Sequence, residues 1–142
     1  MKHIPSIKTV MTAFPYWIDV NAPLEEALWF MQEHLIQHLP VKDDGRLVGV
    51  VTERDINRRV RNDGKLDGSI PVKDIYIHEA YVVDMNEPLD NVLNTMANEH
   101  IGSALVVKGE RLAGLFTMND ACRVFASDLR DRFRPANGND AA

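Results

Sequence analysis

The chain carries one pattern twice. Residues 7–58 align without a gap on residues 72–123 at a constant offset of 65, and 16 of the 52 paired positions are identical. Unrelated segments of ordinary composition would share about three. The identities run from Lys8/Lys73 to Arg58/Arg123 and include Pro23/Pro88, Leu24/Leu89, Leu28/Leu93, Met31/Met96, Gly49/Gly114, Thr52/Thr117 and Asp55/Asp120. A repeat must stack on its partner to bury a core. One compact unit of two half-domains is therefore predicted, and the seam between them is a natural place for a ligand. Most of the identities suit packing or turns. Thr and Asp, three residues apart after an apolar run, do not.

The repeats set the boundaries. Residues 1–60 hold the first, 61–71 (RNDGKLDGSIP) connect, 72–126 hold the second, and 134–142 form a polar tail expected to be disordered. Each copy opens with a short extended segment, 16–20 or 81–85. Asn21 or Asn86 follows as a candidate helix N-cap, with Pro23 or Pro88 suited to the first turn. Leu24, Ala27, Leu28, Met31 and Leu35 then form one apolar stripe, as do Leu89, Val92, Leu93 and Met96. A strand at 39–42 or 104–107 leads into a turn containing Gly45 or Gly109. A second strand, 47–52 or 112–117, runs into a helix starting near Glu53 or Met118. Each copy thus reads β-α-β-β-α, a mixed α/β fold.

Composition narrows the function. At 45% hydrophobic and 26% charged, 142 residues suffice for a soluble core. No apolar run approaches 18 residues, and the first residues lack the apolar core of a signal peptide. The single Cys122 excludes an internal disulfide and fits a reducing cytoplasm. A net charge of −5 counts against a nucleic-acid backbone as the main partner. Cys122 and Met118 are expected as buried apolar fillers in the last helix. His34 and His38 are four apart, but no Cys or carboxylate completes a ligand set, so no metal site is expected among the five His. There is no phosphate-binding glycine loop and no Ser/His/Asp arrangement, so an enzyme is not expected.

The repeated motif is Gly49-Val50-Val51-Thr52-Glu53-Arg54-Asp55, mirrored by Gly114-Leu115-Phe116-Thr117-Met118-Asn119-Asp120. A strand ends at the Thr and a helix starts beside it, which places N–H groups where anions are favoured. The Asp, in the first turn, can accept hydrogen bonds from adjacent hydroxyls such as those of a ribose. Arg58 or Arg123 follows three residues on, along the same face. The same Thr and Asp also suit an ordinary helix cap.

The ordered set resembles a tandem pair of CBS domains, the regulatory unit also called a Bateman module, of the bacterial stand-alone type. The resemblance spans about residues 7–123. It rests on Pro23-Leu-x-x-Ala-Leu-x-x-Met31, on Ile36-x-His-Leu-Pro-Val41, on the turn, and on Gly49 to Asp55, each at its place in a doubled order. It implies two pseudo-twofold-related β-α-β-β-α units packed through their sheets, with two clefts for an adenosine-containing ligand such as AMP, ADP or ATP. No other cofactor is required. It also implies a homodimer and a separate effector protein, because no catalytic or transport domain is read in this chain.

Carried over by position, the resemblance crosses the copies. One cleft would join Val50, Thr52, Arg54, Asp55 and Arg58 to Tyr76, Tyr81, Ile101, Gly102 and Ser103. The other would join Leu115, Thr117, Asn119, Asp120 and Arg123 to Met11, Tyr16, Ile36, Gln37 and His38. Arg54, with Arg58 and Arg59 behind it, favours a polyphosphate in the Asp55 cleft. Asn119 occupies the equivalent place in the Asp120 cleft, which suits AMP or adenosine. A scaffold with empty clefts is the rival reading.

Overall fold

The computed structural model describes residues 3–60, 64–66 and 70–134. Most of the connecting segment and the tail from 135 onward lie outside them. In chain order the elements are β1 (Thr12–Ala13), β2 (Ile18–Asp19), α1 (Leu24–His34), β3 (His38–Asp43), β4 (Arg46–Thr52), α2 (Glu53–Asn57), β5 (Val82–Asp84), α3 (Leu89–Glu99), β6 (Ser103–Lys108), β7 (Arg111–Thr117) and α4 (Met118–Phe133). A 3₁₀ turn precedes each repeat's first extended segment, at Ile7–Thr9 and Val72–Asp74.

The anticipated β-α-β-β-α order is present in both copies, and both motif helices start at the expected residue. In the first hairpin turn, Asp44 and Gly45 both take positive φ, 51° and 79°. That left-handed pair matches the twist of the flanking strands. Helices α1 and α3 end alike, at Leu35 and His100, each left-handed near φ 55°. Leu35 is therefore not part of the buried stripe; it caps the helix and is 84% exposed.

Helix starts differ from expectation. Pro23 and Pro88, not the asparagines, hold the N-cap positions, with no side-chain cap. The Asn21 and Asn86 amides instead donate to Asp19 and Asp84 at 2.9 and 2.8 Å. The first helical N–H groups find carbonyls far away in sequence. Leu24 donates to Ile70 at 2.8 Å, and Leu89 donates to Pro5 at 2.9 Å. Each helix start is thus satisfied by the chain leading into the other repeat.

That exchange organises the molecule. Strands β2, β3 and β4 form one sheet, while β1 joins β7, β6 and β5 in the other. Strand β1, from the start of the first repeat, pairs antiparallel with β7 of the second, Thr12 opposite Leu115. At the equivalent place, Val50 and Ile77 exchange backbone hydrogen bonds of 3.2 and 2.7 Å. Ile7 is buried with Val83, Leu89, Val92 and Phe116, and Val72 is buried with Leu24, Met31, Leu39 and Val51. Each half-domain core therefore contains a residue from the other copy's lead-in. Between the sheets, Val50, Leu105 and Leu115 close the seam.

Gly49 and Gly114 are explained by this crossing. A Cβ on Gly49 would strike the Ile77 carbonyl oxygen and lie 2.8 Å from the Tyr76 ring. A Cβ on Gly114 would strike Met11 Sδ. Only glycine admits the exchanged segment at that distance.

Candidate functional site

Helix α2 starts at Thr52 and α4 at Thr117, so the motif residues stand at the ends of the central strands β4 and β7. Asp55 N–H donates to Thr52 Oγ1 at 3.1 Å, and that hydroxyl donates to Asp55 Oδ2 at 2.8 Å. In the second copy Thr117 N–H donates to Asp120 Oδ2 at 2.9 Å. Each pair is a helix cap. Only one carboxylate oxygen is used for it, however. Asp55 Oδ1 faces Arg58 at 3.7 Å, and Asp120 Oδ1 faces Arg123 at 3.5 Å. Capping and a second role are thus compatible, one oxygen for each.

Both aspartates border cavities walled by the two repeats together. The Asp120 cavity, about 590 Å³, brings Leu115, Thr117, Asn119, Asp120 and Arg123 against Tyr16, Ile36, Gln37 and His38. The Asp55 cavity, about 820 Å³, brings Thr52, Arg54, Asp55 and Arg58 against Ile101 and Gly102. Both volumes suit a small-molecule site.

Five expected residues do not line the cavities. Met11 packs on the second repeat's core and Tyr76 on the first's, and Tyr81 lies partly buried against the former. Val50 and Ser103 are buried, at 4% and 5% exposure. Four of the five side chains are taken up by packing against a core, and Ser103 is enclosed at the start of β6. Thr12, one position past Met11, takes the wall and donates to Asp120 Oδ1 at 3.4 Å. Ile77, one past Tyr76, lines the Asp55 cavity. The alignment pairs Thr12 with Ile77, so the repeat held the signal, read one residue early.

Other wall residues were also missed. Phe14, Pro15 and Leu35 give the Asp120 cavity an apolar mouth, and His34 also borders it. The Tyr16 ring stacks on His34 with centroids 3.9 Å apart, and Phe30 lies behind the pair. Glu53, Asn57 and His100 border the Asp55 cavity. Gln37 and His38 border both. Burial lowers the pKa of His38 below the ordinary imidazole value, with Asp55 pulling the other way.

Two sequence expectations about α4 fail. Cys122 and Met118 are exposed, not buried. Helix α4 rests on the second repeat's core through partly buried Ala121 and Val124 and contributes no fully buried residue. Helix α2 has only five residues, so its dipole adds little, and positive charge in the Asp55 cavity comes from Arg54 and Arg58.

The CBS domain family profile matches residues 7–62 and 72–127, which together cover most of the sequence. The chain belongs to the CBS domain family. A CBS domain-containing protein of Bacillus subtilis is 30% identical over 115 residues, 81% of each chain. Hypoxic response protein 1 of Mycobacterium tuberculosis is 29% identical over 117 residues, 82% of each. An L-aspartate semialdehyde sulfurtransferase of Methanocaldococcus jannaschii is 28% identical, but the match spans only 23% of it. Among solved structures, the CBS domain pair of protein MJ0100 superposes with a TM-score of 0.78 at 27% identity, covering 89% of this chain and 99% of that one. That pair was crystallised with 5′-methylthioadenosine and S-adenosyl-L-methionine. The tandem CBS architecture is therefore that of a regulatory module. Among the described residues no helix is long and apolar enough to cross a membrane.

Proposed function

We propose that this CBS pair is a cytoplasmic, non-enzymatic sensor of adenine nucleotides (AMP, ADP or ATP) that signals through a partner protein or its own dimer. One observation carries the reading. Each motif Asp caps its helix with one oxygen, leaves the other outside the cap, and borders a cavity whose far wall belongs to the opposite repeat. A ribose can supply two hydroxyl donors to that oxygen. Arg58 faces it in the first copy, Arg123 and the Thr12 hydroxyl in the second, and the two Arg side chains, 64% and 77% exposed, can swing onto a phosphate. A relative pair that holds two adenosyl ligands supports the same chemical class.

A ligand touching both repeats favours the arrangement in which its contacts are best, and shifts the population by its differential affinity. The Asp55 cavity, with Arg54 and Arg58, is assigned the polyphosphate. The Asp120 cavity, with Asn119 and its apolar mouth, is assigned AMP or adenosine. Self-association is assigned to α4. Met118, Cys122, Phe125, Leu129 and Phe133 fall four, three, four and four apart on one exposed stripe. Arg130 and Asp131 on the same helix provide both charge signs for a second copy, while Arg132 pairs with Asp128 within it at 2.8 Å.

Isothermal titration with AMP, ADP and ATP tests the assignment, using the parent, Asp55→Ala and Asp120→Ala. Each variant should lose one site. Arg54→Ala should weaken ATP more than AMP, and ATP binding as tight as the parent's would remove the polyphosphate assignment. Absence of binding by a folded, ligand-free protein would favour the scaffold reading.

A further inference from the structure

The two cavities are not separate rooms. Gln37 and His38 form wall in both. His38 opens β3 and lies across the strand pair from Thr52, the cap of α2. On its other side is Gly102 of the second repeat, where an added Cβ would come 3.2 Å from His38 Nε2. The residue aligned with His38 is Ser103, a buried side chain. A titratable ring therefore stands at this point of the seam in the first repeat only.

We propose that His38 couples the two cavities, so that an anionic ligand bound in one strengthens the binding of an anionic ligand in the other. The proposal rests on the nucleotide reading and adds the link between its sites. On the Asp120 side the charged or titratable groups around the shared wall are His34, Asp120 and Arg123. On the Asp55 side they are Glu53, Arg54, Asp55, Arg58 and His100. Burial favours the neutral imidazole in the empty protein, against the pull of Asp55. A phosphate entering either cavity adds negative charge near the ring and favours its protonated form. The second phosphate then meets a cation already in place. Direct repulsion between the two ligands opposes this, but it persists when the ring is replaced, so a neutral variant separates the two effects.

The full chain is titrated with AMP at pH 7.5 in two buffers of different ionisation enthalpy, as the parent and as His38→Gln. The parent should take up protons on binding. Its second site should be about five-fold tighter, relative to its first, than in His38→Gln, the low end of ordinary couplings. Adenosine, which carries no charge, should show neither effect. The His38 ring signal of the parent, followed by NMR against pH, gives a reading that needs no variant; its midpoint should rise when AMP is present. Equal proton uptake and equal site ratios in both proteins, or an unmoved midpoint, would overturn the coupling while leaving the nucleotide sites standing. Absence of AMP binding by the parent would remove the sites and the coupling together.

Discussion

Gly49→Ala is the sharpest test of how the fold supports the site. The methyl group would be driven into the Ile77 carbonyl oxygen and against the Tyr76 ring. The carbonyl is backbone, so it cannot turn aside as a side chain does. Overpacking of this kind costs about 1–3 kcal/mol. If the Tyr76–Ile77 segment moves away, the two Val50–Ile77 hydrogen bonds of 3.2 and 2.7 Å are lost as well. At about 1 kcal/mol each they bring the total to roughly 3–5 kcal/mol. For a chain of this length the melting temperature should fall by about 10–17 °C. Gly45→Ala is the control. Its φ of 79° makes alanine strained, but nothing lies within 4 Å of the new methyl, so the loss should be about 1 kcal/mol. Urea unfolding of both variants gives the comparison. Because Ile77 walls the Asp55 cavity, Gly49→Ala should also weaken that site and spare the Asp120 site, as read by titration with AMP. A Gly49→Ala protein as stable as Gly45→Ala would refute the argument that the crossing segment requires glycine.

Thr52→Ala removes the acceptor of the Asp55 N–H and should cost about 0.5–2 kcal/mol in denaturant unfolding. His38 makes stability depend on pH. Its pKa is lowered in the folded protein, so the unfolded chain binds more protons, and stability present above the unfolded value of about 6.5 is lost as pH falls below it. His38→Gln should flatten that part of the stability profile between pH 7.5 and 5.5. If α4 carries the proposed self-association, Phe125→Glu with Leu129→Glu should leave only monomer by light scattering while keeping the melting temperature of the fold within a few degrees, since both side chains are already exposed.

Much of this molecule could be read from the chain. The repeat, the element order, both hairpin turns and the starts of α2 and α4 follow from local pattern, because apolar periodicity and turn residues act over a few positions. The paired Thr and Asp were visible for the same reason, whereas the crossing of the repeats at the clefts was implied by the family resemblance. Other features depended on the tertiary structure. Neither Asn21 nor Pro23 reveals that the first N–H of α1 is held by Ile70, because that partner arrives only when the lead-ins exchange. Thr12 and Ile77, not Met11 and Tyr76, reach the cavities, since Met11 and Tyr76 pack onto the core of the opposite repeat. Cys122 and Met118 are apolar residues on a helix that turns Ala121 and Val124 to the core, so composition placed them inside and packing left them outside. Sequence alone determined which residues exist in duplicate. The way the two copies interlock decided which of them face each other, because a stacked repeat acquires its second wall only from its partner.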